Sequence, residues 1–239
     1  MSTAESAESS EADDVPEGRE GHEERGLRLV LVLLALTVVS GLIDAVSYLG
    51  LSHVFTANMT GNVVVLGFAA AGAPGFSVPH AAASLGCYLV GAVVGGRVAV
   101  RHGTGSRRTW VRRTLAVETV LLGACAATAF AAPHATTTVY ALIVVTAFAM
   151  GLRNATVRRL GIADLTTTVL TMTLTGLAAD SRAGGGTGTH TPRRAASAIA
   201  MVGGAVLGAW LVLHHGLGIP LLVATLTVGV LAVVTSGRE

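Results

Sequence analysis

Residues 27–49 read Leu27-Arg-Leu-Val-Leu-Val-Leu-Leu-Ala-Leu36-Thr-Val-Val-Ser-Gly41-Leu-Ile-Asp44-Ala-Val-Ser-Tyr-Leu49. About 20 mostly apolar residues, rising about 1.5 Å each, cross about 30 Å of hydrocarbon. This stretch is long enough, and Asp44 is the only acid in it. Five more stretches qualify or nearly so: 80–100, 114–132, 136–152, 195–213 and 218–234. Two others, 54–71 and 165–179, are apolar but open on clusters of Thr or Asn, and the second is short for a crossing.

Composition agrees with a chain surrounded by lipid. Of its 239 residues 51% are hydrophobic and 13% charged, half the share with which a soluble domain covers its surface. Nine of the fourteen acids fall in the first 24 residues, so 1–24 reads as a solvated, disordered acidic tail. It lacks the basic opening of a signal peptide. Fifteen arginines follow, set in short loops where they orient helices, so nucleic acid is excluded as a partner. Cys87 and Cys125 lie in apolar runs and suggest neither a disulfide framework nor a metal site.

The body repeats itself. Gly41-Leu42-Ile43-Asp44-Ala45 returns 110 residues later as Gly151-Leu152-Arg153-Asn154-Ala155, and Met59-Thr60-Gly61-Asn62 returns as Leu170-Thr171-Met172-Thr173. Ala82-Ala83-Ser84 matches Ala195-Ala196-Ser197, and Gly91-x3-Gly95 matches Gly204-x3-Gly208 in the same register. Four matches in order imply two related halves, 27–132 and 136–235.

Arginine placement then sets topology. Arg25 and Arg28, the 101–113 cluster, Arg153 with Arg158 and Arg159, Arg182 with Arg193 and Arg194, and Arg238 mark cytoplasmic segments. The connections at 51–53, 72–79, 133–135 and 214–216 carry no arginine or lysine. Both sets are satisfied if 54–71 and 165–179 each enter and leave on one side. The expected fold is therefore an all-α membrane protein with six spanning helices plus two re-entrant half-helices. Three crossings per half make the repeat inverted, and both termini are cytoplasmic. Eight full crossings are the alternative, at the expense of placing some arginine loops outside.

These motifs also resemble a known family. The run from Gly41 to Leu49 with Phe55-Thr56-Ala57-Asn58-Met59-Thr60-Gly61-Asn62 is similar to the YoaK family of bacterial membrane proteins. So are Gly151–Ala155 and the threonine-rich 165–176. Two positions depart from the pattern: Met172 stands where a glycine matching Gly61 is expected, and Arg153 where a glutamine is usual. The family's function is unknown, so the resemblance implies a multi-spanning membrane protein and supplies no reaction.

Backbone that is not helical at membrane depth must be buried in protein or line a wet cavity. Transporters with inverted repeats use such broken helices to hold a substrate near the midplane. The expected solute-binding set is Asp44, Asn58, Thr60, Gly61 and Asn62 from one half, with Asn154, Thr167, Thr168, Thr171 and Thr173 from the other. The plainer alternative is that the threonines bond their own preceding turn or allow close packing. Asp44 is a functional candidate because an ionised group at a helix centre costs about 2.5–3.5 kcal/mol; a depth shallow enough to be wetted would remove that argument. Glu118 suggests a structural pair with an arginine such as Arg97 rather than proton carriage. The glycine pairs 91/95 and 204/208 read as close helix contacts between halves. Trp110, Tyr140 and Trp210 suit interfacial anchoring.

Residues 184–189 are glycine-rich but lack a phosphate-loop ending, and read as a linker. No nucleophile–base pair, cofactor motif or metal-ligand pattern stands out, so the expectation is no enzyme, no cofactor and no metal. The function expected is a channel or secondary transporter of a small solute in the inner (cytoplasmic) membrane. A non-transporting scaffold or regulatory protein is the alternative, and a membrane enzyme the weakest reading. The partners expected are the lipid bilayer and a small polar solute, with a homo-oligomer left open.

Overall fold

The computed structural model describes residues 16–102, 107–133, 135–160, 170–187 and 191–235. Among these, eight α-helices form and no strand. They are α1 Pro16–Gly50, α2 Met59–Ala70, α3 Val78–His102, α4 Arg107–Ala131, α5 Thr136–Leu160, α6 Leu170–Ala179, α7 Thr191–His215 and α8 Gly218–Val234. A single 3-10 turn, Arg182–Gly184, follows α6, with the Ser181 hydroxyl accepting from the Gly184 amide. Five helices contain stretches long and apolar enough to cross a membrane, within α1, α3, α4, α5 and α7. At 17 residues α8 falls slightly short, rising about 25 Å. The 12-residue α2 and 10-residue α6 reach about 18 and 15 Å.

Two boundaries differ from expectation. Helical backbone begins at Pro16, inside the stretch expected to be an unstructured tail. Proline at the first helical position sacrifices no hydrogen bond, and the Glu and Arg that follow are good helix formers. Helix α5 runs on to Leu160 instead of stopping at Leu152. Arg153 therefore lies within a helix, not in a cytoplasmic loop, while Arg158 and Arg159 occupy its last turn.

Glycine seams hold the bundle together. A Cβ on Gly91 would strike the Phe148 carbonyl, and one on Gly95 would sit 2.8 Å from the Leu152 carbonyl, so α3 and α5 pack backbone to backbone and run the same way. Gly151 answers from α5, lying on the Tyr88 carbonyl and Ala92. The same seam joins α1 and α7: Gly204 lies on Val38, Gly208 on Leu42, and Gly41 on Met201 and Ala205. Gly91 and Gly95 thus meet α5, and Gly204 and Gly208 meet α1. Helices α4 and α8 cross antiparallel, with Gly123 on Thr225, Gly229 on Thr119 and Gly218 on the Phe130 ring.

A small cavity of about 40 Å³ fixes the remaining directions. It is lined by Leu29 and Leu36 in the first half of the apolar part of α1 (Leu29–Gly50), Thr114 near the start of α4, Leu160 at the end of α5, and Thr235 beyond α8. The early apolar part of α1 and the start of α4 thus meet the ends of α5 and α8, and Ser40, further along α1, meets Arg153, earlier in α5, so α1 and α5 run in opposite directions. The outward face is apolar, with Leu89, Val93, Ile199, Val206, Leu226 and Val230 all exposed. Inside, Leu33, Leu42, Ile43, Leu122, Leu142, Met150 and Leu221 make a continuous core. Trp210 is exposed and stacks on His214, as an anchor would, whereas Trp110 is buried.

Candidate functional site

The chain leaves α1 at Gly50 and reverses through Ser52 and His53, both in left-handed backbone at φ 63° and 59°. Two successive non-glycine residues there are uncommon and store strain. Residues 54–58 then run back along α1 as far as Asp44, where α2 begins. Helix α2 leads outward again: the His53 ring bonds the Gly75 carbonyl (3.2 Å) and packs on Phe76, which also meets Phe68. The hairpin therefore enters and returns at the same end of α1. Its tip lies about 9 Å below that end, six residues of helix.

Side chains from three helices pin the hairpin. Asp44 Oδ1 accepts three consecutive amides, from Thr56 (3.3 Å), Ala57 (2.9 Å) and Asn58 (3.3 Å). A carboxylate is the natural acceptor for several bare amides at once. From α5, Asn154 donates to the Ala57 carbonyl (3.4 Å) and to the Tyr88 hydroxyl (2.9 Å). Asp44 and Asn154, which occupy matching repeat positions, thus grip the two ends of one residue. Asn62 is fully buried; its Oδ1 accepts from the Phe55 amide (3.2 Å) and its Nδ2 donates to the Ala81 carbonyl (3.3 Å). Ser84 donates to the Phe55 carbonyl at 2.6 Å. The Phe55 ring fills the space a Cβ on Gly61 would need and stacks on Tyr48.

The other members of the expected set are dispersed. Asn58 precedes α2 and is half-buried, but its side chain makes no cap bond. Thr60 and Thr171 are exposed. Thr173, the counterpart of Asn62, is buried. Thr167 and Thr168 lie outside the described residues. The convergence expected of both sets is therefore seen for Asp44 and Asn154, not for Thr60 and Thr171. Many threonines elsewhere bond the preceding turn of their own helix, among them Thr37, Thr119, Thr128 and Thr225.

Beneath the hairpin lies a charged cluster. Arg153 is 1% exposed and Glu118 0%, and they pair at 3.1 Å between α5 and α4. The guanidinium also donates to Ser40 on α1 (2.7 Å) and approaches the Met150 sulfur (2.9 Å). Asp44 is 5% exposed and within Coulombic reach of Arg153. Glu118 was expected to pair with an arginine such as Arg97; the partner is Arg153, and Arg97 is exposed. A signal for this was present in the repeat: Arg153 occupies the position of Ile43, a core residue.

Among the described residues, Asp44 Oδ2, Glu118 Oε2, the Thr56 hydroxyl and Arg153 Nε are buried without a hydrogen-bond partner. Such atoms cost free energy unless something meets them. Two carboxylates and one guanidinium at the junction of α1, α4 and α5 can hold a polar or charged guest, or exchange a proton. No group of three or more His, Cys, Asp or Glu among the described residues could hold a metal ion.

A family described as "Protein of unknown function (DUF1275)" matches residues 32–234. A curated relative, the UPF0700 transmembrane protein YoaK of Bacillus subtilis (strain 168), is 35% identical over 154 residues, 63% of this chain and 65% of that protein. The match thus spans slightly less than two thirds of the relative's length. No solved structure matches. The apolar helices and the transmembrane relative agree on a multi-pass membrane protein.

Proposed function

The chain belongs to the DUF1275 family of proteins of unknown function, and we propose that it is a channel or secondary transporter of a small polar solute in the cytoplasmic membrane. In this reading α1, α3, α4, α5, α7 and α8 cross, while α2 and α6 are re-entrant. Helix α8, at 17 residues, crosses with local thinning of the bilayer. The halves are an inverted repeat. Opposed α1 and α5, the twin glycine seams and the antiparallel α4–α8 crossing support that. The ends rich in arginine, with both termini, face the cytoplasm.

One observation carries the proposal: the tip of the 51–77 hairpin is held at depth by Asp44 and Asn154, one from each half. Irregular backbone at membrane depth is tolerated where protein or a solute pathway satisfies it. Linking both halves to one tip couples their relative motion to access at that point. The reading contains no catalytic step.

Two measurements test it. His53→Cys and Gly75→Cys, in a background lacking Cys87 and Cys125, should label from the same face as Pro133→Cys, with Ser106→Cys labelling from the other. Opposite labelling of positions 53 and 75 would make α2 a full crossing and end the re-entrant reading. Proteoliposomes containing the full chain should then swell faster than empty ones in at least one of urea, glycerol or glycine. Folded protein that passes none of them would favour the scaffold or regulatory reading.

A further inference from the structure

We infer that Asp44 and Glu118 together bind one exchangeable proton inside the membrane, and that this proton is the coupling ion of the transport proposed above. The second clause rests on that proposal; the first does not.

The geometry is a balance of charge. The ionisable groups meeting here are Asp44 from α1, Tyr88 from α3, Glu118 from α4 and Arg153 from α5. The sequences of α2, α6 and α8 contain no ionisable residue, and those on α7 lie in its first and last turns. Arg97 and Arg101 on α3 are exposed. With both carboxylates ionised, the guanidinium leaves one negative charge uncompensated in a buried site, a costly arrangement. One proton makes the cluster neutral.

Each carboxyl has an oxygen ready to receive it. Asp44 commits Oδ1 to the hairpin amides and Glu118 commits Oε1 to Arg153, while Oδ2 and Oε2 have no partner among the described residues. Because one guanidinium lies near both, protonating either relieves the other, and the pair titrates as a unit. A bound sodium ion would need several oxygens around one point, which one spare oxygen from each carboxyl does not provide. Protonation of Asp44 would also weaken its hold on the hairpin amides, since charge-assisted bonds are roughly twice as strong as neutral ones. That links the proton to the hairpin.

Infrared spectroscopy of the full chain in nanodiscs reads this without any transport. Solvated Asp and Glu ionise near about 3.9 and 4.3, so ordinary solvated carboxyls are silent at about pH 6. A protonated-carboxyl C=O band equal to one group, shifting in D2O, is expected there in the wild type. It should vanish in both Asp44→Asn and Glu118→Gln, because each removes the excess charge. Arg153→Gln, which leaves two carboxylates and no cation, should double it. No band in the wild type, or a band that persists in either carboxyl variant, overturns the proton. Proteoliposomes provide the second arm: solute entry should accelerate with an inward proton gradient and lose that response in Glu118→Gln. Solute flux without the band leaves the transport reading standing and removes the proton; the band without flux does the reverse.

Discussion

The first and fifth helices carry the matching stretches Gly41–Ala45 and Gly151–Ala155 and differ most where the chemistry is. Around Gly41 and Gly151 they are nearly interchangeable: each glycine lies on a carbonyl of the partner helix, Met201 in one seam and Tyr88 in the other. Two residues further on the resemblance ends. Ile43-Asp44 is an apolar residue and an acid; Arg153-Asn154 is a base and an amide. Scaffold positions obey the repeat because backbone contact leaves room only for glycine. Polar positions depart from it because a symmetric centre would place two like charges, or none, at the meeting point of the halves.

The largest effect should come from the seams. Gly41→Leu and Gly151→Leu each drive a branched side chain into a backbone carbonyl that cannot retreat. Overpacking commonly costs about 1–3 kcal/mol, and rigid backbone on the far side puts these at or above the top of that range. Neither variant should purify as a monodisperse, folded protein in detergent. Equal losses would uphold the equivalence of the seams. Tolerance of one and not the other would break it.

Next comes the ion pair. Arg153→Met leaves Glu118 buried and alone, a change that typically costs about 3–5 kcal/mol. Adding Glu118→Leu should recover most of that, since replacing both members of a buried pair by apolar residues is often neutral. Thermal unfolding of the two singles and the double gives the coupling. If the double is no more stable than Arg153→Met, the guanidinium is held by Ser40 and Met150, and the asymmetry between α1 and α5 is not organised around charge.

Asn62 follows. Its sequence neighbourhood suggests a solute ligand whose replacement by leucine would spare the fold. The structure uses it otherwise: its oxygen and nitrogen tie the Phe55 amide and the Ala81 carbonyl. Asn62→Leu would leave the Phe55 amide without its partner and take a second donor from the Ala81 carbonyl, which lies within α3, at about 1–3 kcal/mol. Melting temperature in detergent should fall, with labelling of His53→Cys accelerated as the hairpin loosens. An unchanged melting temperature would mean that Asp44, Asn154 and Ser84 hold the hairpin without Asn62.

Much of this architecture is legible in the sequence for a plain reason. Lipid requires long apolar runs, and backbone contact requires glycine, so the helices and the glycine seams are written in residue type. Asp44 and Asn154 stand out as polar groups at matched positions, and they do converge. The Arg153–Glu118 pair is legible only through the repeat, which sets Arg153 against the core residue Ile43. Arginine counts toward orientation wherever it occurs, and a rule about loop charge assigns it to a loop unless the helix is known to continue past Leu152. The threonines mislead in the opposite way. A cluster of hydroxyls at a half-helix start suggests a lining, yet a helical threonine can satisfy its hydroxyl within its own turn, so residue type alone does not place it in a site.

That last point gives the smallest expected effect and the finest test of the two regions. Thr60 on α2 and Thr171 on α6 are repeat partners, and both are exposed. Thr60→Ala and Thr171→Ala each remove one hydroxyl from an exposed helical position, where substitutions usually change stability by no more than about 0.5 kcal/mol. Alanine is also the better helix former, which offsets any lost contact. Both variants should melt within about a degree or two of the parent and behave alike in the swelling assay. Equal indifference would place the working surface of the protein at the buried tip around Ala57, away from the outward faces of the half-helices. A loss of flux in one variant, with stability unchanged, would put a solute contact on that face and make the two half-helices as unequal as Asp44 and Asn154.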